Sequence, residues 1–190
     1  HADAADVLLE GTGMPAMTGA LTEIRKAGFI LVVGADIARL NPIVGSEIHF
    51  AARSGAGLVT LSPRSTQMAR ISGAHLWTKP GTLRHALAAV AKVLVERGWQ
   101  DEAFLRERTE GFDGFARDLA ALDLAALSAA SGLTLAEIES LARRLSEAPS
   151  AMAFFSTGLA GLGRDAVALL YDLVPAAGRI GREGSGVNPI

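Results

Sequence analysis

The sequence predicts an α/β domain, because short β-branched or aromatic runs alternate with helical periodicity in the manner of repeated βα units. The first run, Phe29-Ile30-Leu31-Val32-Val33, is wholly apolar, as a strand covered on both faces must be, and it ends at Gly34. The second, Gly57-Leu58-Val59-Thr60-Leu61, ends in the turn Ser62-Pro63-Arg64. An open parallel sheet gathers ligands beyond the carboxyl ends of its strands, and an acid near the second strand commonly holds a ribose diol. Here that place is taken by Ser62. The whole pattern implies a three-layer αβα domain with a mostly parallel, Rossmann-like sheet and a helical insert.

Each element has a local reason. A helix is expected from about Thr18 to Lys26, ahead of the first strand. After Asn41, Pro42 suits the first turn of a helix running to Arg53, since its missing amide donor would be unsatisfied there anyway. Gly55 and Gly57 close that helix. The strand Leu58 to Leu61 leads to a short helix from Thr66 to Ile71 and a third extended segment, Ala74-His75-Leu76-Trp77. The turn Lys79-Pro80-Gly81-Thr82 then opens a strong helix with Leu83, Leu87, Val90 and Leu94 on one stripe, stopped by Gly98. Crossovers of a single hand place the carboxyl ends of these strands on one edge of the sheet.

From 99 to 149 the pattern changes to consecutive helices, at Asp101 to Arg108, Gly114 to Leu122, Leu124 to Ala130, and from Thr134 onward. Thr134 and Glu137 have the spacing of a capping box. The sheet resumes at Ala151-Met152-Ala153-Phe154-Phe155. A glycine loop with Gly158, Gly161 and Gly163 follows, then a helix from Arg164 to about Val174. The tail, 176–190, reads as an extended loop with no core of its own, leading to a missing continuation. A single domain over 1–190 is expected, without internal repeats.

Composition narrows the function. Basic residues number 18 against 20 acidic, a net charge of -2, and no basic stripe is present to track phosphates. With 5% aromatic content, stacking platforms are also missing, so nucleic acid is excluded as an expected partner. No apolar run approaches the roughly 20 residues of a membrane span, so direct membrane insertion is not expected. The absence of an initiating methionine suggests an excised segment. Cysteine is absent, which removes disulfides and thiolate ligation of metals from this segment. The histidines at 1, 49, 75 and 85 lack the spacing of a helical metal pair and read as surface or helix-face residues.

The loops Gly34-Ala35-Asp36, Ser62-Pro63-Arg64 and Pro80-Gly81-Thr82 share the carboxyl edge if the topology holds. Glycine permits close backbone approach, helix amino termini offer free amides to phosphate, and Arg64 offers a bidentate grip on phosphate or carboxylate. Against this, turns in any α/β protein use glycine and proline, and no Gly-x-Gly-x-x-Gly fingerprint follows the first strand. Gly158 and its neighbours admit the same two readings. Trp77 and Trp99 read as packing residues, and Glu107, Glu110 and Asp113 as a solvated face.

The order Ile30-Leu31-Val32-Val33-Gly34, Asn41-Pro42, Leu61-Ser62-Pro63-Arg64, Lys79-Pro80-Gly81-Thr82, Phe104-Leu105-x-x-Arg108-Thr109-Glu110-Gly111-Phe112 and Thr134-x-x-Glu137-Ile138 resembles the molybdopterin oxidoreductase family. The tail Gly178-Arg179-Ile180-Gly181-Arg182-x-Gly184-x-Gly186-Val187-Asn188-Pro189 continues the likeness, which covers nearly the whole chain. It is most similar to formate dehydrogenase large subunits and to the large, G-type subunit of NADH-quinone oxidoreductase. For formate dehydrogenases the resemblance implies one αβα domain of a larger subunit, helping to bind one of two molybdopterin guanine dinucleotides. It would put Gly34, Asp36, Ser62, Pro63, Arg64, Gly81, Thr82, Gly158 and Gly178 at the cofactor. It matches His1 to the active-site histidine that follows the metal-bound cysteine or selenocysteine, although a tag residue would give the same His1.

The departures from the family pattern carry equal weight. Ser62-Pro63-Arg64 stands where Asp-Pro-Arg is typical, and Leu83 where an acid or amide often follows Gly-Thr. A carboxylate can accept from a ribose diol and a guanine edge, and leucine can do neither. Asp36 replaces an asparagine and would oppose a pyrophosphate. Ala177-Gly178-Arg179 replaces Thr-Gly-Asn, and Ala168 falls where formate dehydrogenases carry an arginine beside the metal. The resemblance to the NADH-quinone oxidoreductase protein then implies a scaffold domain in electron transfer, with its pterin site altered or lost. The alternative it implies is a dinucleotide-binding domain of an active molybdenum or tungsten enzyme. In either case the expected partners are the remaining domains of the parent subunit and other subunits of a redox complex, in the cytoplasm at the periphery of a membrane assembly. The fragment alone is expected to hold no cofactor and to be inactive, with molybdopterin guanine dinucleotide and iron-sulfur clusters belonging to the parent.

Overall fold

A computed structural model describes residues 2–13 and 16–190. Helix α1 (Ala2–Thr12) and a 3-10 helix (Leu21–Lys26) precede strand β1 (Phe29–Val33). Helices α2 (Ile37–Leu40) and α3 (Pro42–Arg53) lead to β2 (Gly57–Ser62), and α4 (Gln67–Ile71) leads to β3 (Ala74–Trp77). Helix α5 (Leu83–Glu96) opens the insert of α6 (Glu102–Arg108), α7 (Phe112–Ala120), α8 (Leu124–Ser131) and α9 (Leu135–Glu147). Strand β4 (Ala151–Phe155), helices α10 (Thr157–Ala160) and α11 (Arg164–Ala176) and strand β5 (Gly186–Pro189) follow.

The strands form one five-stranded sheet in the order β3-β2-β1-β4-β5, and every pair is parallel. Strand β1 is central, with Leu31 level with Val59 on one side and Ala153 on the other. All its residues are buried, as its unbroken apolar run requires. The period-two alternation of a strand divides them between two cores. Phe29, Leu31 and Val33 join Val59, Leu61, Ala153 and Phe155 under α1, α5 and α11. Ile30 and Val32 join Leu58, Met152 and Phe154 under α3, α4 and the 3-10 helix. The α/β class, the three layers and the helical insert therefore stand as the sequence predicts.

Local signals place most elements to within a residue or two. Asn41 caps α3 by accepting from the Val44 amide (3.3 Å), with Pro42 in the first turn. Thr66 caps α4 through the Ala69 amide (3.1 Å). The capping box at α9 is complete: Thr134 Oγ1 accepts from the Glu137 amide (3.2 Å), and Glu137 Oε2 accepts from the Thr134 amide (2.8 Å).

The structure corrects the sequence reading in several places. The expected helix from Thr18 shrinks to the 3-10 turn at Leu21–Lys26, the glycine loop after β4 contains the single turn α10, and α1 carries no prediction at all. The tail is not a coreless loop, because Val187 and Asn188 are fully buried in β5. Its outer edge is covered by the segment before the 3-10 helix. Val187 donates its amide to Thr18 Oγ1 (2.7 Å), Thr18 returns its amide to the Val187 carbonyl (3.2 Å), and the Gly19 amide donates to Asn188 Oδ1 (3.2 Å). Gly186 is required there, since a Cβ would lie 2.5 Å from the Gly19 nitrogen. Covering the strand in this way also removes an unpaired sheet edge.

The insert is fastened by a buried cation. Lys92 of α5 is 5% exposed, and its Nζ donates to the Leu119 (3.1 Å) and Ala120 (3.3 Å) carbonyls at the end of α7 while pairing with Glu96 (2.6 Å). Those carbonyls belong to the last turn, which has no intrahelical donors left. Among the described residues, no single helix is long and apolar enough to cross a membrane. Lys92→Met should cost about 1–3 kcal/mol in urea unfolding, because the helix end loses its donors. Glu96→Gln should cost under about 1 kcal/mol, because that partner is solvent-exposed.

Candidate functional site

Sheet order reverses direction at β1: the chain moves outward through β2 and β3, then returns to place β4 on the opposite side of β1. The carboxyl ends of β1 and β4 flank that switch point, the usual crevice for a ligand. In-register pairs Val33 with Leu61, Val33 with Phe155 and Ser62 with Trp77 bring the strand ends level. The edge thus collects Gly34, Asp36, Ser62, Pro63, Arg64, Gly81, Thr82 and Gly158. Gly178 is not among them. It follows α11 at the opposite edge, packed against Asp101, whose amide donates to the Ala176 carbonyl (2.9 Å). His1 lies outside the described residues, and Ala168 is half-buried against the core.

The crevice itself is closed by contact. Gly34 has φ +61°, and a Cβ there would lie 2.8 Å from Leu83 Cδ1 and 3.1 Å from the Gly158 carbonyl carbon. A Cβ on Gly158 would lie 1.9 Å from the Gly34 carbonyl oxygen. The two glycines therefore let the β1 and β4 loops touch backbone to backbone, and the buried Leu83 seals the floor.

Most polar groups around this edge already have partners inside the fold. Ser62 is buried, and its Oγ accepts from the Arg64 amide (3.2 Å). Thr82 Oγ1 donates to the Lys79 carbonyl (2.7 Å). Lys79 sends Nζ to the Ala129 carbonyl (2.7 Å) and its amide to the Ser131 carbonyl (2.9 Å), so the end of α8 sits over the β3–α5 turn. Asp36 Oδ1 and Thr78 Oγ1 are buried and unpartnered among the described residues. Arg64 and Gly81 are exposed.

At the outer strand, Thr60 Oγ1 and His75 Nδ1 are hydrogen-bonded at 2.7 Å. Burial lowers the His75 pKa from its ordinary value, outweighing an opposing hydrogen bond to the Thr60 backbone, and so favours the neutral ring. His75 is thus a half-buried sheet residue rather than a surface one. It meets the edge of Trp77 at 4.5 Å, yet Trp77 is 56% exposed, so it is not the packing residue the sequence suggests. Trp99 does pack against the core.

These residues can be tested against the dinucleotide that the resemblance implies. Arg64 suits a phosphate, but among the candidate residues gathered at this edge only Asp36 carries a carboxylate or side-chain amide that could read a guanine or a ribose diol, and its charge opposes the pyrophosphate. Leu83 occupies the space over Gly34. The edge does not fit a guanine dinucleotide in this arrangement.

A second concavity is lined in part by the run Phe104 to Phe112, which gives no sign in sequence that it borders a cleft. A cleft of about 1080 Å³ lies between α6, the α6–α7 junction, the end of α1 and the second half of α11. Phe104, Phe115 and Tyr171 give it an apolar wall, and Glu107, Glu110 and Asp172 border it. Burial raises the Asp172 pKa from 3.8 to about 6. Asp172 is itself exposed to solvent through the cleft, with protein packed around it on the α11 side. The one sequence signal is a polar pair, Tyr171-Asp172, inside the otherwise apolar run Ala166 to Ala176 of α11. Because the folded pKa lies above the unfolded one, protonation favours the fold: this contribution is complete below about pH 4 and is lost as pH rises through about 6. Asp172→Asn should therefore raise Tm at pH 8 and change it little at pH 4, as read by calorimetry at both values.

Comparison with known proteins agrees with the fold and with the family resemblance. The chain is 30% identical over 192 aligned positions to formate dehydrogenase H of Escherichia coli, covering 100% of this chain and 27% of that protein. It is 28% identical over 192 positions to the alpha subunit of an F420-dependent formate dehydrogenase of Methanococcus maripaludis, covering 100% of this chain and 28% of the relative. The chain thus spans about a quarter of these relatives' length. Acetylene hydratase from Pelobacter acetylenicus superimposes with a TM-score of 0.81 at 15% identity, over 98% of this chain and 25% of the hydratase, a likeness of fold. The family model for molybdopterin oxidoreductase matches residues 2–190, and the chain belongs to the molybdopterin oxidoreductase family.

Proposed function

We propose that this domain serves as a structural and interaction scaffold in the large, G-type subunit of an NADH-quinone oxidoreductase complex, with its pterin edge altered or abandoned. The observation that carries this reading is the packing of Leu83 against Gly34, while Ser62, Lys79 and Thr82 direct their polar atoms into internal bonds. A guanine dinucleotide would have to displace a buried leucine and break those bonds. Losing the Lys79 and Thr82 contacts would also release the end of α8 from the β3–α5 turn.

In this reading the domain performs no chemistry. It holds neighbouring domains and subunits in register, and electrons pass through iron-sulfur clusters carried by other parts of the parent. The absence of cysteine from the chain accords with that division of labour. The assembly would work in the cytoplasm, at the periphery of a membrane complex. Molybdopterin guanine dinucleotide, if the parent retains one, would rely on contacts outside this domain.

A second reading has its own support. Full-length likeness to formate dehydrogenases, at 28–30% identity, favours the cofactor-binding domain of an active molybdenum or tungsten oxidoreductase. There Arg64 would grip a phosphate, and a displaced Leu83 would open the crevice.

Metal and pterin analysis of the purified parent subunit separates the two. The scaffold reading expects no stoichiometric molybdenum, tungsten or guanine nucleotide. A full equivalent of metal with guanine dinucleotide would overturn it. Gly158→Ala is expected to lower Tm by several degrees in the isolated domain, because the added methyl would overlap the Gly34 carbonyl. An unchanged Tm would mean that the β1 and β4 loops can separate enough to admit a ligand.

A further inference from the structure

The cleft beside α11 has two properties that its structural role leaves unexplained. It is lined by an apolar wall in which Tyr171 is buried while Phe104 and Phe115 remain half-exposed. Helix α6 meets α11 at its start, where the Asp101 amide donates to the Ala176 carbonyl (2.9 Å), and buries Leu105, leaving the cleft open beyond that contact. The cleft also concentrates negative charge. Glu10 pairs with Arg164 and Asp101 with Arg182 (2.9 Å), but Glu107, Glu110 and Asp172 have no basic partner among the described residues. Arg108 also borders the cleft, so its lining carries five carboxylates against two guanidinium groups, an acidic balance in a chain whose net charge is only -2.

Those properties define an occupant. A groove open along its length, with aromatic side chains below and carboxylates along the rim, is complementary to a helix or extended segment that presents an apolar face flanked by lysine or arginine. The relatives carry about three quarters of their length outside the matched span, which supplies chain to fill it. We propose that the cleft between α6 and α11 docks a basic amphipathic segment of the same parent polypeptide, its cationic side chains meeting Asp172, Glu107 and Glu110 and its apolar face lying on Phe104, Phe115 and Tyr171.

Docking of this kind also explains why the carboxyl of Asp172 is kept at the cleft, in the otherwise apolar run Ala166 to Ala176. A carboxylate left without a countercharge there costs stability, and a cation delivered from outside the domain turns the same group into a buried, charge-assisted contact. The cleft lies away from the carboxyl edge, so the proposal rests on family membership and not on whether a pterin is bound. Metal analysis and the test below can fail independently.

The test is site-specific photocrosslinking in the full-length parent subunit. A benzophenone amino acid replaces Ala103, which is exposed on α6 and borders the cleft, and the crosslinked peptide is identified by mass spectrometry. The expected result is one predominant crosslink to a lysine- or arginine-bearing segment of the same polypeptide outside residues 1–190. The double variant Glu107→Gln with Asp172→Asn should reduce its yield several-fold, whereas Glu107→Asp, which keeps the charge and controls for folding, should retain it. No crosslink, a crosslink to an acidic or uncharged segment, a crosslink to another subunit, or a yield unaffected by the double variant would each overturn the proposal.

Discussion

Parallel pairing of β1 with both β2 and β4 is the constraint on which the rest of the structure depends. A central strand of Phe29, Ile30, Leu31, Val32 and Val33 has no side that tolerates water, so both faces of the sheet must be covered. Parallel strands cannot be joined by tight hairpins, so each connection is a crossover that also supplies the covering helix. With crossovers of one hand, a chain that grows first toward β3 and then toward β5 must change faces as it changes direction. That single reversal explains why α3 and α4 belong to one core and α5 and α11 to the other.

The reversal has a further consequence at the carboxyl edge. Strands β1 and β4 are adjacent but arrive there from distant parts of the sequence, and their loops must diverge to opposite faces. In a ligand-binding member that divergence leaves room between the loops. Here a pair of glycines lets them touch, and a leucine from the start of α5 fills what space remains. Thr82 and Lys79, which stand nearby, hold the end of α8 over the β3–α5 turn. An edge shaped for binding thus contributes cohesion between the sheet and the helical insert.

The opposite edge is tied by comparable means. Ser150 Oγ accepts from the Gly28 amide (2.9 Å), and Ser185 Oγ accepts from the Ala151 amide (3.2 Å), so two buried serines join the entries to β1, β4 and β5. Arg179 donates to the Leu145 and Ser146 carbonyls at the end of α9, and Arg182 pairs with Asp101 ahead of α6. Gly178, which family resemblance would assign to a cofactor, works within this network: its missing side chain makes room for Asp101.

The sequence by itself determined the class, the three layers, four of the five strands and the limits of most helices, because periodicity, caps and proline positions are local signals that neighbouring residues set. It also determined the carboxyl edge, since Gly34, Ser62 and Gly81 follow strands whose direction the crossover rule dictates. Strand β5 escaped because Gly-Val-Asn-Pro has too few apolar residues to announce itself; its burial is created by β4 and by Thr18 and Gly19, some 170 residues away in sequence. Only the tertiary structure decided which polar groups at the edge remain available, for Ser62 and Thr82 are equally polar in sequence whether they face a ligand or, as here, a backbone amide and a backbone carbonyl. It alone assembled the acidic cleft, where Glu107, Glu110 and Asp172 meet across helices that share no motif. Composition could show that these carboxylates exist, but desolvation and the absence of a countercharge are properties of their neighbours in space.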